Sequence, residues 1–205
     1  MKLKRMSVAL GIGGLALALT GCVVTSVYPF YFAKDVVFDP TLLGVWVNKD
    51  STKEQWKFER EDAGASEDAG ARAYRFTYTD GQKSSVAQAH LFKLQDETFL
   101  DLFTSECGEA GMFPMIPSHV LVRVTRTGSA LRLAVLDYDW LGKLLEQKPK
   151  ALRHHVTLVG RDRWLVLTAG TKELQRFVLR HLHTKAAWEE ETELQSMSAP
   201  PATKN

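Results

Sequence analysis

Apolar side chains stand at even spacings through most of the chain: Val45/Val47, Trp56/Phe58, Tyr74/Phe76/Tyr78, Phe99/Phe103, Val120/Val122/Val124 and Leu131/Leu133/Val135. Side chains alternate between the two faces of a strand, so a period of two predicts half-buried β-strands. Asp80-Gly81, Gln95-Asp96 and Thr127-Gly128 fall between these runs and predict short hairpin connections. Strands joined in this way form an antiparallel meander. Closing the meander into a barrel removes the unpaired edges that would otherwise recruit other chains.

The pattern changes in the C-terminal third. One helix is predicted from an N-cap near Asp139 through Trp140, Leu141, Leu144 and Leu145 until Pro149 stops it. A second is predicted with Thr171 as its N-cap, Glu173 in its first turn and the stripe Leu174, Phe177, Val178 and Leu182 on one face. Between them Arg163–Thr168 reads as a strand, paired with Val156–Val159 across Gly160-Arg161-Asp162. The fold class is therefore mainly β, a β-rich α+β chain in which two short helices follow an antiparallel meander closed into a barrel.

Composition bounds the organisation. With 45% hydrophobic and 24% charged residues in 205, the chain suits one globular domain. Two cysteines cannot staple a disulfide scaffold, so stability has to come from an apolar core. The folded domain is expected over 40–185, preceded by a tether over 22–39 with the aromatic run Tyr28-Pro29-Phe30-Tyr31-Phe32, which either docks on the domain or lies near a membrane interface. Residues 186–205 begin with acidic residues and end polar, and predict a disordered acidic tail. The repeated pentapeptide Glu61-Asp62-Ala63-Gly64-Ala65 and Glu67-Asp68-Ala69-Gly70-Ala71 has no large apolar group to order it and predicts a flexible hairpin tip.

Residues 1–21 read as a secretory leader: Lys2, Lys4 and Arg5, then the apolar run Val8–Leu19, then Leu19-Thr20-Gly21-Cys22. The apolar run is about a dozen residues, short of the roughly 20 that span a bilayer as a helix. Leu-Thr-Gly-Cys resembles the lipobox of bacterial lipoproteins. The resemblance implies cleavage between Gly21 and Cys22 and acylation of Cys22, giving a chain held to a membrane by its N-terminal lipid. Val23 in place of an aspartate after that cysteine implies the outer membrane, facing the periplasm. Losing Lys2, Lys4 and Arg5 takes the formal net charge from +2 to −1, which excludes nucleic acid as a partner. Cys107 is then the sole unmodified thiol. Flanked by Glu106 and Glu109, it lacks the cationic surroundings of a catalytic cysteine.

Gly44-Val45-Trp46 opens the first long strand as a G-x-W, which resembles the signature of lipocalins and other calycins. The resemblance implies an up-and-down barrel with Trp46 packed across its bottom and Gly44 at the strand's start, and an interior that holds a small apolar or amphipathic molecule. The late arginine that closes over this tryptophan in lipocalins has no assignable counterpart. The chain is also similar to uncharacterised bacterial lipoproteins that combine strands like Ala89-His90-Leu91-Phe92-Lys93-Leu94 with segments like Leu136-Asp137-Tyr138-Asp139-Trp140-Leu141 and Thr171-Lys172-Glu173-Leu174-Gln175.

Trp56, Phe58, Tyr74, Phe76, Tyr78, Phe92, Phe99 and Phe103 are the candidates for lining the interior, either as ligand contacts or as plain core. Met112, Phe113, Met115 and Ile116 lie in a loop marked by Pro114 and Pro117, which serves either as a plug or as an apolar portal. The six histidines show no i, i+4 pair, and neither a metal nor a cofactor is expected. Lys143–Lys185 holds ten basic residues against three acidic, a face for anionic partners or a solvated surface. No nucleophile elbow, phosphate loop or dinucleotide fingerprint is present, so an enzyme is the lesser expectation. The two leading readings are an envelope lipoprotein that binds a small amphipathic ligand, and a structural lipoprotein with a filled barrel that docks an envelope protein.

Overall fold

The computed structural model describes residues 23–51, 53–61, 72–104, 117–159 and 162–197. The leader with Gly21 and Cys22, the pentapeptide repeat from residue 62, Cys107 and the loop residues Met112, Phe113, Met115 and Ile116 lie outside these ranges.

Among the described residues twelve strands form one branched sheet: β1 (Thr25–Ser26), β2 (Val36–Val37), β3 (Gly44–Asn48), β4 (Glu54–Arg60), β5 (Ala73–Asp80), β6 (Lys83–Leu94), β7 (Glu97–Thr104), β8 (Ser118–Thr127), β9 (Ala130–Val135), β10 (His154–Val159), β11 (Asp162–Leu167) and β12 (Thr192–Ser196). Two helices, α1 (Tyr138–Gln147) and α2 (Thr171–His181), lie between β9 and β12. Strands β3 to β9 pair antiparallel in chain order, and β12 pairs with both β9 and β3. The result is a closed eight-stranded antiparallel barrel.

Three two-residue turns hold the meander, at Gly81-Gln82, Gln95-Asp96 and Gly128-Ser129, as the paired residues on either side show. Gly81 and Gly128 adopt φ of 59° and 60°, a left-handed conformation that glycine enters without steric cost. Gly44 has φ 120°, so the glycine of the G-x-W triplet is required by the backbone where the chain turns into β3.

The strand β12 overturns the expectation of a disordered tail from residue 186. Leu194 is buried in the barrel core, and backbone pairing runs from Leu133↔Thr192 to Trp46↔Ser196. The tether is likewise part of the fold. β1 joins β8 on one side and β11 on the other, and β2 adds to β6. Between these two short strands Phe30 is buried, its N–H donating to Asp101 Oδ2 at 2.9 Å. Thr171 Oγ1 donates to the Pro29 carbonyl at 2.8 Å.

Two cores result. The first fills the barrel: Leu42, Trp46, Trp56, Phe58, Tyr74, Phe76, Tyr78, Leu91, Leu100, Leu102, Val122, Val124, Leu131, Leu133 and Leu194 are among its members. The second lies on the outside of β6, β7 and β8, where Phe92, Leu94, Phe99 and Leu121 meet Leu141 and Leu145 of α1, Leu174, Phe177 and Val178 of α2, and Leu165 and Leu167 of β11. Helix α1 starts two residues earlier than the sequence indicates. Asp137 is its N-cap, with Oδ1 accepting from Trp140 N–H at 2.6 Å. The cap of α2 is Gly170 and not the expected Thr171, which is the first helical residue and whose hydroxyl is engaged with the Pro29 carbonyl.

Candidate functional site

Five of the eight interior candidates lie inside the barrel and form one aromatic column. Tyr78 and Trp56 meet edge to face with centroids 5.6 Å apart, Trp56 and Phe76 are 5.2 Å apart, Phe76 and Phe58 5.1 Å, and Phe58 and Tyr74 6.2 Å. Phe38 extends the column, stacking on Tyr74 at 4.8 Å, and the Arg60 guanidinium covers Phe38 at 4.2 Å. Trp56 and Phe58 come from β4 and Tyr74, Phe76 and Tyr78 from β5, each at alternate positions, so these five share the inner face.

Phe92, Phe99 and Phe103 point the other way. Their strands place Leu91, Leu100 and Leu102 inside, so the alternate positions face outward. Phe92 and Phe99 stack on each other at 5.6 Å in the second core, and Phe103 lies against His119 with ring centroids 4.7 Å apart.

The segment from β2 to β3 crosses one end of the barrel. Asp39 caps a 3-10 turn over Pro40–Leu42, accepting from Thr41 N–H at 2.9 Å and Thr41 Oγ1 at 2.6 Å. Tyr74 Oη accepts from Asp39 N–H at 2.7 Å and donates to the Asp39 carbonyl at 3.0 Å. Trp46 Nε1 donates to the Leu42 carbonyl at 2.8 Å. The inner aromatic column and the first strand's tryptophan therefore both hold this crossing segment. Burial pushes the Tyr74 phenol up to about 12, with the Asp39 charge adding to it.

Under the crossing segment a cleft of about 410 Å³ opens to the surface. Val37, Phe38, Leu42, Leu91, Val124 and Leu131 give it an apolar floor and walls, Thr98 stands at its side, and Asp39, Lys93 and Arg126 form the rim. Arg126 lies over the Trp46 ring at 6.0 Å and reaches Asp39 Oδ2 at 3.8 Å. Partial burial raises the Asp39 carboxyl, but the two Thr41 hydrogen bonds with the Arg126 and Lys93 charges hold it below its usual range. An ionised Asp39 balances one of the two rim cations. The cleft thus presents apolar walls beside a net positive rim.

The opposite end of the barrel interior is polar. Asn48 Nδ2 donates to the buried Glu54 carboxylate at 2.8 Å. Among the described residues Tyr78 Oη and Trp56 Nε1 have no hydrogen-bond partner. Burial pushes the Tyr78 phenol up to about 12, with the Glu54 and Asp80 charges contributing.

Outside the barrel, Asp101 is fully buried between the tether and the wall. Its Oδ1 lies 2.7 Å from His119 Nδ1 while Oδ2 holds the Phe30 amide. Burial and then the Asp101 charge push the Tyr31 phenol up to about 12. A larger groove of about 880 Å³ runs over the outer face of β8, β9 and β12, with Ala134, Leu182 and Trp188 as its floor. Its charges are mixed: Arg132 pairs with Glu193 at 3.2 Å, and Arg123, which also lines the groove, pairs with Glu97 at 3.0 Å. Among the described residues no three His, Cys, Asp or Glu side chains cluster as a metal set, and no helix is long and apolar enough to cross a membrane.

Trp46 and the lining residues of β4 and β5 were legible in the sequence, whereas the outward facing of Phe92, Phe99 and Phe103 was not, and Phe38, Lys93, Thr98 and Arg126 carried no local signal. Arg126 comes from the sixth barrel strand rather than the last, so nothing in its sequence neighbourhood links it to Trp46. Comparison of the chain with protein-family models, with curated proteins and with solved structures finds no match.

Proposed function

We propose that the chain is a lipid-anchored lipoprotein of the bacterial envelope whose lipocalin-like barrel holds a small amphipathic molecule at the end crossed by residues 36–43. The apolar part of the ligand lies against Leu42, Leu91, Val124 and Leu131, and an anionic head meets Lys93 and Arg126. The observation that carries this reading is the cleft itself, in which inward-facing core residues open directly onto a positively charged rim. Burying a chain of methylenes contributes about 0.8 kcal/mol for each, so an apolar tail supplies affinity and the rim selects the head. The aromatic column occupies the middle of the barrel, which limits the ligand to this end. The lipobox at Leu19–Cys22 supports the anchor, with the domain in the periplasm on the outer membrane.

The same column favours the second reading, a filled barrel that docks an envelope protein. Mass spectrometry of organic extracts from the purified domain separates the two. The ligand reading expects one stoichiometric amphiphile, lost when Thr98→Trp narrows the cleft. A folded domain that yields no amphiphile from native membranes would contradict it.

A further inference from the structure

We propose that the face of the β10–β11 hairpin carrying Trp164 seats against the lipid bilayer, beside the point where the anchor leaves the domain. This rests on the reading of Cys22 as acylated, and it adds an orientation that the anchor alone does not specify.

From Val23 on, the chain is packed into the fold. Val24 is 3% exposed and Ser26 is fully buried, and Val27 N–H donates to the Leu167 carbonyl at 3.0 Å. β1 runs parallel to β11, with Thr25 beside Val166 and Ser26 beside Leu167. Trp164 precedes Val166 on β11 as Val23 precedes Thr25, so the chain enters β1 at the end of this parallel pair where Trp164 lies. Acylation of Cys22 brings that end of the pair to the bilayer surface, and the sheet brings Trp164 with it.

The side chains on this face fit that position. Leu165 and Leu167 turn into the second core, so Trp164 and Val166 share the opposite face. Trp164 is 45% exposed, whereas Trp46 and Trp56 are buried and Trp140 and Trp188 are half-buried. Thr157, its partner on β10, is also exposed. An indole with an apolar body and one N–H donor is favoured at the boundary between head groups and acyl chains. A partner protein would need a larger continuous apolar patch than one indole beside Val166 and Thr157, whereas the interface of a bilayer accommodates a single ring.

The test uses the full chain purified from bacterial membranes and reconstituted in phosphatidylethanolamine–phosphatidylglycerol vesicles, with and without acyl chains brominated near the head group. Flotation of the wild type but not of Cys22→Ser checks the anchor separately. Trp164→Phe keeps an aromatic ring at an exposed site and leaves the fold intact, so subtracting its emission from that of the wild type isolates Trp164. The expected result is that brominated lipid removes most of this difference emission. Difference emission untouched by bromine in protein that floats would overturn the seat while leaving the anchor standing. Emission that responds to protein concentration instead would assign the face to a second copy, and also overturn it. A wild type that does not float overturns both.

Discussion

Arg126 covers the Trp46 ring at 6.0 Å and reaches Asp39 at 3.8 Å, joining β8, β3 and the crossing segment in one contact. The two residues divide the work at this end of the barrel. Trp46 is buried and carries stability, whereas Arg126 is exposed and contributes charge at the rim. Trp46→Ala is expected to lower the unfolding free energy by about 3–5 kcal/mol, as deletion of a buried aromatic does. Arg126→Met is expected to change it by less than about 1 kcal/mol, the usual range for an exposed ion pair. Urea unfolding of both variants checks this, and equal costs would show that the guanidinium is as structural as the indole.

Closure of the barrel by β12 gives a sharp expectation about the C-terminus. A chain ending at Met197 keeps every pairing of β12, whereas one ending at Glu191 leaves the facing edges of β3 and β9 unpaired. The first truncation is expected to unfold cooperatively at the wild-type midpoint. The second is expected to lose cooperative unfolding or aggregate, read by circular dichroism and size-exclusion chromatography.

The strands of the meander were legible because one face of each is buried, and their turns because Gly81 and Gly128 mark left-handed positions. Face assignment failed on β6 and β7 for a physical reason. Phe92 and Phe99 face outward yet are buried under α1, α2 and β11, so both faces of these strands are apolar and alternation no longer reports the inside. β12 was missed because Thr-Glu-Leu-Gln-Ser contains one large apolar residue, Leu194, after a run of glutamates. Its identity as a strand lies in two partners far away in sequence. The cleft was illegible for the same reason, since Asp39, Lys93 and Arg126 meet only once the barrel closes.

Two buried phenols and one half-buried one, Tyr31, predict an alkaline limit to stability. Tyr31, Tyr74 and Tyr78 are each pushed up to about 12, so the neutral form is favoured in the folded state. Their contribution is complete below the unfolded phenol value near 10 and is lost as pH rises through about 12. Thermal unfolding midpoints are expected to hold up to about pH 10 and fall above it. Ultraviolet titration of folded protein at these positions should show ionisation coinciding with that fall, and free titration near pH 10 in the native state would refute the burial argument.

Asp101 ties the tether to the barrel wall through Phe30 and His119. Asp101→Ala leaves a buried amide and a buried imidazole without their acceptor, and is expected to cost about 2–4 kcal/mol. Asp101→Asn retains an acceptor and is expected to cost less. Hydrogen exchange of the Phe30 amide gives the local reading. If that amide stays fully protected in Asp101→Ala, the carboxylate is not what holds the tether.

The most direct measurement for the ligand site is a titration of purified wild type, Lys93→Glu and Thr98→Trp with a fluorescent long-chain carboxylate. Saturable 1:1 binding by the wild type is the predicted result, weakened several-fold by reversing the rim charge. In Thr98→Trp, where an indole fills the cleft, binding should fall by at least about 10-fold, or about 1.4 kcal/mol, while cooperative unfolding is retained. Saturable binding of equal strength in all three proteins, or none in the wild type, would contradict the assignment of the cleft as the ligand site.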